Sequence, residues 1–285
     1  MINKEKKPRP YWHVDAKWIT GILSILVLMV TFTIYIFYEI TSPEQGVEIL
    51  TTSMASAFSY EGGGLDEAGD IEIMKEKITA SPNGEYQPIP GLNITVRMED
   101  IEGKSPREAR LWFFRQMAEP LYSHGQQGLI DMVTDPEMKA SMSGGIGPLS
   151  LISASSHAIL GNALIICGLI SIFLLCMLVF FSHRFGRLGN PGFVIFLAAL
   201  PNLILLIVLQ RMITNPLADS VSDGFQSTIS RYVQLASDVL PDVIQKAFII
   251  HVILVMVGII LMIIGLIGAI SFRRKRKNQP LSPLG

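Results

Sequence analysis

Four runs of this 285-residue chain are so long and so apolar that only a bilayer accommodates them comfortably. They cover residues 18–38, 158–182, 193–212 and 247–272. Crossing about 30 Å of hydrocarbon takes roughly 20 helical residues, and each run supplies them. The second and fourth contain no Asp, Glu, Lys or Arg. Lipid offers no partner to an unpaired backbone amide, so each run is expected to be a helix. Pro201, inside the third, removes one helical hydrogen bond and predicts a kink there. The charged fraction agrees, at 16% against roughly 25% for a soluble domain.

Orientation follows from the flanks. Lys4, Lys6, Lys7, Arg9 and Lys17 precede the first run, and Arg184 and Arg187 lie between the second and third. Arg273, Arg274, Lys275, Arg276 and Lys277 follow the fourth. With four crossings these groups share one side, which the positive-inside rule assigns to the cytoplasm. The segment Glu39 to His157 holds 18 acidic and 8 basic residues and belongs outside. The first run is longer than a signal-peptide core, and no small-x-small cleavage site follows it directly, so a retained anchor is expected. The expected location is the cell (plasma) membrane, multi-pass, with both termini in the cytoplasm.

The predicted fold class is a membrane all-α bundle of four transmembrane helices, with a small α+β extracytoplasmic domain inserted between helices 1 and 2. Residues 1–17 form a basic cytoplasmic N-terminus, 39–157 the inserted domain, 183–192 a short cytoplasmic loop and 273–285 a basic tail. Within the domain, Ser42-Pro43-Glu44-Gln45 reads as an N-cap, a Pro at N1 and a capping-box partner, predicting a helix to about Tyr60. Gly62-Gly63-Gly64 ends it. Ile71, Ile73 and Ile78 are placed on strands, and Ser81-Pro82-Asn83-Gly84 reads as a turn. Leu92, Ile94, Val96 and Met98 alternate with polar residues as in a half-buried strand. Ser105-Pro106-Arg107-Glu108 repeats the capping pattern and opens a helix, with an interruption expected near Pro120. Further helices are expected over 129–133 and 136–142, then a Gly-rich joint at 143–148. Residues 213–246 carry apolar positions at three- and four-residue steps opposite Ser and Asp, which reads as an extracytoplasmic amphipathic helix broken by Pro241.

No zinc-protease HExxH, GxSxG, P-loop or CxxC occurs, so no catalytic, cofactor or metal residue is assigned. Cys167 and Cys176 are nine positions apart, face opposite sides of one helix and cannot bridge each other. Three polar residues inside the spans stand out: Asn162 and His251 at similar depth, and Asn202 beside Pro201. Intramembrane polar groups are functional candidates by default. The plainer reading is interhelical hydrogen bonding, with Asn202 satisfying the carbonyl freed by Pro201. The acidic run Asp66-Glu67, Asp70, Glu72 suits a hard cation in type but matches no known loop spacing. Arg107, Arg110 and Arg115, beside Trp112, form a candidate partner surface, or else pair with local carboxylates. Small residues at four-step spacing in the second and fourth spans suit close helix packing or homo-oligomers.

In topology alone the arrangement resembles the permeases of type VII ABC transporters, which have four spans, cytoplasmic ends and a large first outer loop. Their loop between the second and third spans carries a coupling segment. Here that loop, His183 to Pro191, is too short for one. Claudin-like proteins share the topology, but their outer tryptophan and cysteine-pair signature is absent.

The expected function is non-enzymatic: the outer domain mediates protein or envelope interactions as an accessory, scaffolding or sensor subunit. The partners are the lipid bilayer and a membrane or envelope protein, with homo-oligomers a further expectation and no nucleic acid. Alternatives are a transport component, either permease-like or a small oligomeric channel, and an enzyme at the outer face using His124 or His157.

Overall fold

The computed structural model describes residues 12–57, 65–66, 68–142, 150–183, 185–214 and 241–277. The predicted amphipathic helix, apart from its ends, lies outside these residues. So do the first eleven residues, the 143–148 joint, Glu67, Arg184 and the end of the basic tail. The chain divides into two compact units: Met1–Ile36, Asn162–Val208 and Gln245–Gly285 in one, Phe37–Gly161 and Leu209–Ile244 in the other.

Among the described residues the first unit is built from four long apolar helices, each long enough to cross a membrane. They are α1 (Trp12–Ile40), α8 (Ala154–Phe181), α9 (Gly186–Thr214) and α10 (Pro241–Lys277). A hydroxyl in hydrocarbon needs a partner, and α1 supplies its own. Thr20, Ser24, Thr31 and Thr33 donate to the carbonyls of Ala16, Thr20, Val27 and Met29, four residues back, at 2.7–2.9 Å. Leu28, Leu178, Val194 and Ala198 form the buried apolar centre of this unit.

Helices α9 and α10 meet backbone to backbone. A Cβ on Gly265 would lie 2.8 Å from the Cα of Gly189, and one on Gly258 would lie 2.9 Å from the Gly192 carbonyl oxygen. The small residues of the fourth span therefore face the third. This contact also explains a difference from expectation. Helix α9 starts at Gly186 and passes through Pro191, where a loop to residue 192 is predicted. Gly189 and Gly192 have to be in helical register to admit α10 so closely.

The second unit is mainly helical: α2 (Pro43–Ala57), α3 (Gly69–Ala80), α4 (Met98–Ile101), α5 (Pro106–His124), α6 (Gln126–Met132) and α7 (Pro136–Met142). Its only ladder among the described residues joins β1 (Glu85–Tyr86) to β2 (Val96–Arg97), antiparallel. A true α+β domain is therefore not formed. Ile71, Met74 and Ile78 face the core, and Ile73 is 54% exposed. That is the 3.6-residue period of α3, and it overrides the β-branched composition that suggests strands. The predicted strand from Leu92 is shorter than expected, although its alternation is real. Leu92, Ile94 and Val96 are buried while Asn93, Thr95 and Arg97 are exposed. The segment is tied at one end to Met132–Thr134, by Asn93 N donating to Met132 O and Thr134 N to Gly91 O. At the other end it is tied to β1, with Arg97 Nη2 2.6 Å from Glu85 Oε1. Gly91 sits at φ +85, and a Cβ there would meet Asp135, so the turn into this segment needs glycine.

Helices α2 and α5 form the core of the unit, around the fully buried Leu50, Ala55, Ala118 and Leu121. Gly46 makes room for the Tyr122 ring, whose hydroxyl donates to the Thr41 carbonyl at 2.9 Å. Ser105 caps α5: its Oγ accepts from Glu108 N, and Ser105 N donates to the Glu108 carboxylate at 2.8 Å. Pro120 does not interrupt α5, which runs on to His124. Leu121 and Tyr122 reach the core only in unbroken helical register.

Candidate functional site

Three consecutive residues of α1 each contact a different helix of the bundle. Thr31 Oγ1 lies 3.2 Å from Ser171 Oγ on α8. The Phe32 ring meets His251 on α10 edge to face, with centroids 5.7 Å apart. Thr33 Oγ1 lies 3.3 Å from Asn202 Oδ1 on α9 and shares its one hydrogen between that oxygen and the nearer Met29 carbonyl. Steps of about 100° per residue turn three neighbours toward three directions, so α1 is the hub that the other spans read. Among the polar positions picked from the sequence, Asn202 and His251 lie at this hub. Both are buried, and His251 is fully so.

Asn202 spends both ends of its amide on α1, because Nδ2 also donates to the Met29 carbonyl at 3.3 Å. It thus bridges helices instead of repairing its own helix after Pro201. His251 Nδ1 donates to the Ala247 carbonyl at 2.7 Å. A carbonyl only accepts, so in the neutral ring Nε2 is the acceptor, and this atom is buried with no partner among the described residues. Asn162 is not paired with His251; it is exposed on α8. Sequence reasoning missed Thr31, Thr33 and Ser171. The signal was there in the four- and three-residue steps of Thr20, Ser24, Leu28 and Thr31 along an apolar run.

In the second unit the arginines of α5 turn toward the acidic run. Arg110 is 4% exposed and its Nη2 sits 3.1 Å from Asp70 Oδ2. Arg107 Nη1 lies 3.8 Å from Asp66 Oδ2. The two features singled out separately, acidic run and basic helix, partly neutralise each other. Arg110 belongs to the interior, which removes it from any docking surface. Arg115 is exposed and pairs with Glu119 one turn on, at 3.1 Å. No cluster of His, Cys, Asp or Glu able to hold a metal occurs among the described residues.

Trp112 is half-buried and borders a groove of about 330 Å³ with Asn93, Thr95, Arg97, Glu99 and Gln116. The exposed side of the alternating segment forms one wall and α5 the other. Lys104 Nζ stands 5.0 Å above the Trp112 ring, and it also donates to the Asp100 carbonyl. Capping holds Glu108 nearby as an anion: hydrogen bonds from Ser105 keep its carboxyl below the ordinary value.

His157 stacks on Tyr38 at 4.1 Å between centroids, and its Nδ1 lies 3.2 Å from the Tyr38 carbonyl. A Cβ on Gly161 would touch the other side of that contact, 3.2 Å from Tyr38 Cε2. This histidine fastens the end of α1 to the start of α8.

Compared with known proteins, the chain matches no family model, no curated protein and no solved structure. Its four long apolar helices make it a multi-pass membrane protein.

Proposed function

We propose that the chain is a non-enzymatic subunit of a membrane complex, with its inserted domain on the extracytoplasmic side docking another membrane or envelope protein. The observation that carries this reading is the groove beside Trp112. It combines an aromatic wall with exposed amide, hydroxyl and charged groups, an aromatic contact bordered by polar groups of the kind found at the rims of protein interfaces. The acidic balance of residues 39–157 and the basic flanks of the spans support the assignment of sides. Docking of this kind suits an accessory, scaffolding or sensor role.

A transport role has less support. Thr31, Thr33, Ser171 and Asn202 spend their polar atoms on one another or on α1, whereas an aqueous path leaves such groups turned to water.

Photo-crosslinking amino acids placed at Thr95 and Gln116 in intact membranes test the proposal. A single dominant adduct from both positions, absent when the probe sits at the exposed Glu137, is the expected result. Monomer alone, or the same adducts from all three positions, overturns it.

A further inference from the structure

Helix α8 leaves most of its surface uncovered. Only 11% of its span is buried, against 17–33% for the other three. Lipid tails are as apolar as leucine, so exposed apolar side chains alone call for no partner. Asn162 is different. It is exposed, and its amide has no hydrogen-bond partner among the described residues. It stands about 12 Å from the midpoint of the apolar run 158–182, within a hydrocarbon half-thickness of about 15 Å. An unmet amide in hydrocarbon is costly.

The surroundings of Asn162 form a seam. Asn162, Leu169 and Cys176 follow at seven-residue steps, and Ile166, Phe173 and Phe180 occupy the alternate positions four residues on. All six are exposed. Seven-residue spacing is what lets two helices stay in contact over their length. We infer that this face is the contact between two copies of the chain, with Asn162 paired to Asn162 across a two-fold axis. A carboxamide carries both donor and acceptor, so each copy satisfies the other. The axis brings the second amide to the same depth by construction, which a different protein would have to match independently. A single asparagine on such a seam also fixes register. The inference requires only that α8 lies in lipid, and is independent of what the groove beside Trp112 binds.

Cys176 lies on the seam two heptads from Asn162, and Cys167 lies on the opposite side of α8. The full-length chain carrying Cys167→Ser, reconstituted in liposomes and oxidised with copper–phenanthroline, is expected to form a disulfide-linked dimer. The Cys176→Ser chain, keeping Cys167, is expected to stay monomeric. Energy transfer between labelled chains, followed on dilution into excess lipid, reads the dimer constant. Asn162→Leu favours insertion, so failure to enter the bilayer does not confuse the result. It is expected to weaken the dimer about three- to fifteenfold, and Asn162→Gln to retain most of it. No dimer through Cys176 overturns the inference, since lipid or another protein then covers the face. Equal crosslinking through Cys167, or a dimer constant unmoved by Asn162→Leu, overturns it as well.

Discussion

Asn202 of α9 and Thr33 of α1 meet within the apolar bundle, the amide oxygen 3.3 Å from a hydroxyl that divides its one hydrogen between it and the Met29 carbonyl, and Asn202 Nδ2 donates to that same carbonyl. Met29 O thus receives both the Thr33 hydroxyl and the Asn202 amide. One carbonyl, one hydroxyl and one amide join two helices that have no hydrophobic force between them in lipid.

Asn202→Leu removes this bridge while keeping the volume roughly constant. Interhelical hydrogen bonds in membranes average about 0.6 kcal/mol, with an upper value of about 1.7, so a loss in that range is expected. Thr33 retains its bond to Met29 O, which holds the cost down. Unfolding in mixed micelles measures it.

Asp70→Asn is expected to cost more than any exposed charge in the same unit. It leaves the buried Arg110 guanidinium beside a neutral amide, and hydrogen bonds to charged groups are worth about 1.5–3 kcal/mol. Arg115→Ala breaks a pair whose side chains are 60% and 55% exposed, and about 0–1 kcal/mol is expected there. Denaturant unfolding of the two variants against the parent chain gives the contrast. Equal effects would remove Arg110 from the load it is assigned.

Acid should loosen the start of α5 through Glu108. Its carboxyl lies below the ordinary value of 4.5 because Ser105 N and Oγ donate to it. A depressed folded-state pKa contributes stability that is present above the unfolded value and lost as pH falls through the folded one. Protection of the first-turn amides of α5, taken relative to the intrinsic exchange rate at each pH, is expected to fall below about pH 4.5, and Glu108→Gln should flatten that dependence. A pH response surviving in Glu108→Gln would assign it elsewhere.

The four spans and the cap at Ser105 were readable because each depends on local chemistry: length against a bilayer, or a hydroxyl three residues before an acid. The similar pattern at Ser42 does precede α2, but the capping-box bond expected from Gln45 is not made, since its amide oxygen is buried with no partner among the described residues. What escaped the sequence depends on distant partners. Ile71, Ile73 and Ile78 suggest a strand until the core shows that Met74, not Ile73, turns inward. Pro120 suggests a break until Leu121 and Tyr122 are seen to need the helix intact. Arg110 resembles a surface residue until Asp70, forty positions earlier, is brought beside it. At the hub, Asn202 and His251 were visible as polar letters in apolar runs. Thr31, Thr33 and Ser171 were not, because a hydroxyl that bonds its own helix is unremarkable in a span, and only folding reveals which also reaches across.

His251 supplies the sharpest test of whether the hub is more than packing. The ring is fully buried, Nδ1 is satisfied by Ala247, and Nε2 has no partner among the described residues. An unmet buried acceptor costs about 1–3 kcal/mol, so a purely structural residue would be replaced with profit by an apolar one of similar volume. His251→Leu is therefore expected to fold at least as stably as the parent chain, measured in micelles. His251→Ala should lose about 2–5 kcal/mol through the cavity beside Phe32. If His251→Leu instead destabilises as much as His251→Ala, Nε2 has a donor in the folded bundle, and the ring holds the hub together through both nitrogens.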